Sequence, residues 1–154
     1  MTAAFREYLN RPRDLLAALL RAREQASDLW AACTKMTTSY DGVGGHGGGG
    51  GDSKDGALAA YADLTTPEDY KRELDLARAE LGWFLKSLAE ADPKHGFRDA
   101  ALLEERYLKF RGWEATMFEL NRRGFTCGHL QTAYYWHRGA LSRAERFWEE
   151  INGL

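Results

Sequence analysis

The stretch RYLKFRGWEATMFELNRRGFTCGHLQTAYYWHR, Arg106 to Arg138, decides how this chain reads. Apolar residues at helical spacing begin at Trp113, break at Gly124-Phe125-Thr126, and resume in an aromatic-rich segment from about Cys127. Two helices joined by a glycine-bearing turn predict either a helix-turn-helix or a plain αα-hairpin in a helical core. In the first case the second helix carries Gly128, His129, Gln131, Thr132, Tyr135 and Arg138 toward a ligand, and Leu130, Ala133, Tyr134 and His137 toward the core. Of the preceding helix, Trp113, Met117 and Leu120 or Phe118 are expected to face inward, after a core helix over residues 98–110 with Ala101, Leu102, Tyr107 and Leu108.

Upstream, the chain is patterned in heptads. Leu15, Leu19, Ala22, Ala26, Leu29, Cys33 and Met36 form an alternating four-three seam, with Arg21, Arg23, Glu24, Gln25 and Asp28 on the outer face. Pro12 predicts a fresh helix start there, preceded by a short docking helix with Phe5, Tyr8 and Leu9. A second seam runs through Tyr70, Leu74, Ala77, Leu81, Phe84, Leu88 and Ala91. It opens on Thr66 as cap, Pro67 at the first helical position and the acids Glu68 and Asp69, and closes at Asp92-Pro93, with Lys94-His95-Gly96 as linker.

Between the seams lie Gly44-Gly45-His46 and five glycines, Gly47 to Gly51, followed by a short helix over 57–64. Each glycine disfavours helix by ~1 kcal/mol against alanine, so residues 41–56 are expected to be a flexible connector. A phosphate loop would need a preceding strand and a Lys-Ser/Thr pair, whereas the order here is Ser53-Lys54. The expected fold is therefore all-α. A long antiparallel helical hairpin (1–92), joined by the glycine-rich loop, would precede a helix-turn-helix unit (97–154). Pairing of the seams between two chains, as a homodimer, is the alternative.

The 154 residues are 44% hydrophobic, enough for a real core, and the formal net charge is -2. That balance hides an asymmetry, because residues 98–148 hold nine Lys/Arg against six Asp/Glu. The surplus makes this end the candidate for a polyanion, with Arg122, Arg123 and Arg138 as phosphate clamps. Cys33 and Cys127 are expected to be free thiols of a cytoplasmic protein. No apolar run reaches the ~20 residues of a membrane span.

Taken together, Arg106-Tyr107-Leu108, Gly112-Trp113-Glu114, Lys35 to Ser39 and the glycine-rich spacer, in this order, resemble a phage-encoded family of small regulators. That family includes late-gene activators of the RinA and ArpU kind, whose C-terminal unit is like region 4 of bacterial sigma factors. The chain departs from it in Thr116-Met117, where Ile-Ala is usual, and in a longer turn, Asn121 to Thr126. The resemblance implies a phage or prophage transcription regulator in the bacterial host cell, acting on double-stranded DNA or on bacterial RNA polymerase.

Gln131 could bond adenine bidentately and Thr132 could touch a thymine methyl. Tyr135 and Trp136 fit a protein contact better, which keeps open an adaptor that does not read DNA. No nucleophile, paired carboxylate or metal-ligand spacing points to an enzyme, so no cofactor, metal or catalytic residue is expected.

Overall fold

The computed structural model describes residues 1–38 and 66–154, the side chains of 33–38 excepted. The glycine-rich connector, the short helix over 57–64, His46 and the Cys33 thiol lie outside the described residues. Among the described residues all regular structure is helical: α1 (Ala3–Thr38), α2 (Pro67–Ala91), α3 (Gly96–Leu103), α4 (Trp113–Arg122) and α5 (Leu130–Ile151). A π-helical turn, Glu104–Leu108, continues α3. No described helix is long and apolar enough to cross a membrane.

The packing divides into two compact units, residues 1–14 with 74–154, and residues 15–73. In the second unit the seam repeats as spaced: Leu19 and Ala22 are buried, Leu15, Ala26 and Leu29 half-buried, and Arg21, Arg23, Glu24, Gln25 and Asp28 exposed. Helix α2 begins at Pro67, as its missing N–H and fixed φ favour. The Thr66 hydroxyl donates to Asp69 Oδ2 at 2.7 Å, and the Asp69 N–H returns to the Thr66 carbonyl at 3.0 Å.

Pro12 does not start a helix; α1 runs through it from Ala3. The proline removes one donor, to the Tyr8 carbonyl, but its ring is buried, and burial on that side offsets the lost bond. The docking role of the first residues holds in a different form, as the leading turns of α1. Phe5 and Leu9 are buried, and Phe5 and Tyr8 pack on Phe84 (ring centroids 6.3 and 5.6 Å) and on Trp148 (5.7 and 5.8 Å). Burial raises the Tyr8 hydroxyl pKa well above its usual range, with Glu80 adding to the shift.

These aromatics sit in a single core. It joins Phe5 and Leu9 to Leu81, Phe84, Leu85 and Leu88 of α2, Leu102 and Leu103 of α3, Leu120 of α4 and Ala133, Ala140 and Ala144 of α5. A division between 92 and 97 therefore does not follow the packing: the leading turns of α1 and most of α2 share the C-terminal core. The second seam also widens beyond Leu81, where Leu85 and Ala89 join the buried set, while Ala91 at its end is exposed.

Lys94-His95-Gly96 is not a loose linker either. Asp92 Oδ1 accepts from the Lys94 and His95 N–H groups at 2.9 and 3.2 Å, and these bonds hold its carboxyl below the usual range. Gly96 opens α3 against α2 so closely that a Cβ would stand 2.6 Å from the Leu88 carbonyl oxygen and 2.7 Å from that of Ala89. Both obstacles are backbone and cannot swing away. Gly96→Ala should therefore lower stability by about 1–3 kcal/mol in urea unfolding, whereas Gly112→Ala, with open space around it, should change it little.

Candidate functional site

Helix α4 ends in a Schellman turn. The Phe125 N–H reaches the Leu120 carbonyl (2.9 Å) and the Gly124 N–H that of Asn121 (3.0 Å), with Gly124 at φ +93°. Asn121 then clamps Cys127, accepting its N–H at 2.8 Å and donating to its carbonyl at 2.9 Å. Cys127 is a buried free thiol whose pKa burial raises. This clamp keeps Cys127 and Gly128 out of the next helix. Helix α5 starts at Leu130, after His129 in extended backbone, and not at Cys127.

On α5 the small residues Ala133, Ala140 and Ala144 are fully buried. Gln131, Tyr135 and Arg138 are exposed and Thr132 is half-buried beside them; Gly128 and His129 precede them, also exposed. Tyr135 is 75% exposed. Leu130 and Tyr134, expected in the core, are exposed instead, as is Phe118 on α4 (68%). The covered face of α5 runs through these alanines with Trp136, Leu141, Phe147 and Trp148, and leaves Leu130 and Tyr134 outside it. At the end of α5 Phe147 and Trp148 pack on the core while Ile151 is exposed.

Arg106 and Trp113 form the start of an aromatic cluster that reaches α5. The Arg106 guanidinium stacks 4.1 Å above the Trp113 ring, and Trp113 meets Tyr134 edge-on (4.7 Å) and His137 (5.2 Å). The Tyr107 hydroxyl lies 3.2 Å from His137 Nε2. Burial, with Arg106 nearby, lowers the His137 pKa from 6.5 to about 4, so the ring is neutral.

Arg122 and Arg123 do not project freely. Arg122 makes a forked contact with Glu119 (3.0 and 2.8 Å), and Arg123 holds Glu104 and Glu105 at 3.0 Å each. Glu105 is wholly buried in the π turn and is also approached by Lys109 Nζ (2.8 Å) and Arg111 Nη1 (3.1 Å). Its Oε2 makes no hydrogen bond of good geometry, so the Arg111 contact is an ion pair only. Phe110 follows at φ +56°, a rare conformation for a bulky residue. The guanidinium groups of Arg13 and Arg78 each lie 5.7 Å from its ring centroid.

A second carboxylate, Asp99 of α3, is 1% exposed and bound in a fork by Arg143 of α5 (2.6 and 3.0 Å). Neither Asp99 nor Glu105 stands out by residue type. Each does lie three or four residues from buried leucines or alanines on its own helix, which is the one signal in the sequence.

Among the described residues there is no group of three side chains suited to a metal ion. No protein-family model, curated protein or solved structure matches the chain.

In the unfolded chain His137 titrates near 6.5, and in the fold near 4. The unfolded state thus binds more protons between those values, so this residue's contribution to stability is present above pH 6.5 and lost as pH falls toward 4. Urea unfolding across that window should show the decline, and His137→Phe should flatten it. Separately, Arg143→Ala leaves Asp99 buried with only Arg98 at 3.4 Å. It should cost about 3 kcal/mol, with Arg143→Lys recovering only part because a lysine cannot make the fork.

Proposed function

We propose that this chain is a transcription regulator of phage or prophage type that binds promoter DNA through the N-terminal half of α5. The observation that supports this most is the exposed row His129, Gln131, Tyr135 and Arg138 on a stretch with no carboxylate between Glu119 and Glu145. A stretch without acids brings no repulsion of its own to phosphate, and a helix N-terminus adds a favourable partial charge. In this reading Gln131 and Thr132 face base edges and Arg138 a phosphate. Arg122 and Arg123 reach phosphate only by leaving their carboxylates, so they are placed second to Arg138. A homodimer would double the modest cationic surplus and so raise affinity at physiological salt.

One observation favours a different partner. Phe118, Leu130 and Tyr135 are large, exposed and apolar, which suits a protein surface such as RNA polymerase and gives the adaptor reading.

A gel-shift series with promoter-region DNA at several salt concentrations separates the two. DNA reading predicts salt-sensitive binding. Arg138→Ala should weaken it on every sequence and reduce the salt slope by about 1, while Gln131→Ala should relax preference at one base position. Absence of binding at low salt would defeat the DNA reading. The adaptor reading instead predicts polymerase co-purification that survives nuclease and is lost in Phe118→Ala.

A further inference from the structure

A concave surface lies between the start of α3 and the middle of α5 and includes Tyr135 and Arg138 of the α5 row. It is a groove of about 430 Å³ lined by His95, Arg98, Tyr135, Arg138, Ser142 and Arg143 among others. Its volume falls within the ~300–1,000 Å³ typical of small-molecule sites. No carboxylate lines it, but two stand close: Asp99 is buried and bound by Arg143, and Asp92, 3.4 Å from His95 Nδ1, also acts on Arg143 through its charge.

The cations in its wall are not all neutralised. Asp99 binds Nε and Nη2 of Arg143, leaving Nη1 without a hydrogen bond to it. Arg98 lies over the Trp136 ring at 4.6 Å, holds Asp99 only at 3.4 Å, and its buried Nε has no acceptor among the described residues. Arg138 makes no ion pair among the described residues. Three guanidinium groups therefore stand against two carboxylates, Asp99 in direct contact and Asp92 acting on Arg143 from beside His95. The set keeps a positive surplus that suits an anion, and planar guanidinium groups favour phosphate geometry. The wall also holds Tyr135, which is mostly exposed and gives a planar ring a face to stack on.

We propose that this groove binds a free nucleoside monophosphate, its phosphate held by Arg138 and Arg143 with the Ser142 hydroxyl, and its base against Tyr135. A groove of this volume can enclose one nucleotide, with the phosphate on the guanidinium groups and the ring on Tyr135. The groove shares Tyr135 and Arg138 with the DNA reading of α5 but does not require it, and nucleotide titration and the gel shift read the two separately.

Titration calorimetry of the full chain with adenosine, guanosine, cytidine and uridine monophosphates, and with inorganic phosphate, tests it. At least one nucleotide should bind saturably, and more tightly than phosphate, since phosphate has nothing to place on Tyr135. Arg138→Ala should weaken that nucleotide about tenfold, and Ser142→Tyr, an exposed position where the added ring fills the groove, should abolish binding without changing the melting temperature. Lack of saturable binding by all four nucleotides overturns the proposal, as does unchanged affinity in Arg138→Ala. Duplex DNA bound by the wild type and lost in Ser142→Tyr, with no nucleotide bound, also overturns it and assigns the groove to the DNA backbone.

Discussion

A carboxylate cannot be taken out of water unless cations come with it, and Glu105 is completely buried. The cations that answer it come from three places: Lys109 one turn on, Arg111 in the loop, and Arg123 at the end of α4. Each of those residues sits in a segment whose path would otherwise be loosely set. The π turn brings Lys109 back over Glu104 and Glu105, the loop turns at Phe110 in a left-handed conformation, and α4 has to stop where Arg123 can reach inward. The position of α5 follows from that stop, through the Gly124 turn and the Asn121 clamp.

The same core extends to the other end of the chain. Phe5 and Tyr8 meet Trp148 and Phe84, so residues far apart in sequence share one aromatic cluster. Aromatic pairs of this kind add roughly 0.5–1.5 kcal/mol each beyond the area they bury. The start of α1 and the end of α5 are therefore joined by packing, and the heptad patterning of α2 serves this core from Leu81 onward.

What was legible in the sequence is what depends on neighbours within a turn or two. The all-helical class, the start of α2 at Thr66-Pro67, its end near Asp92-Pro93 and the buried seam positions follow from caps, prolines and spacing. The positions misjudged are those settled by distant partners. Pro12 reads as a start because a proline inside an isolated helix is costly, and only its burial reverses that. Leu130 and Tyr134 read as core because their spacing suits it, yet the covered face of α5 passes through Ala133 and Trp136 and leaves both outside. Arg123 reads as a free cation because its partners Glu104 and Glu105 lie on another helix, whereas the Arg122–Glu119 pair, three residues apart on one helix, is local and open to the sequence. For the candidate site, Gln131, Thr132, Tyr135 and Arg138 were legible as a row from helical spacing alone. The groove with His95, Arg98, Ser142 and Arg143 was not, because it needs α3 laid against α5.

The buried alanines of α5 divide that helix into two sides with different freedom to vary. Ala133, Ala140 and Ala144 have no exposed surface, so any larger residue there would push α5 off its neighbours. The residues between them on the solvent side touch little of the core and can be exchanged at small cost to the fold. A lineage carrying this scaffold could therefore change what α5 contacts by successive single substitutions, each tested for binding without first having to be rescued for folding.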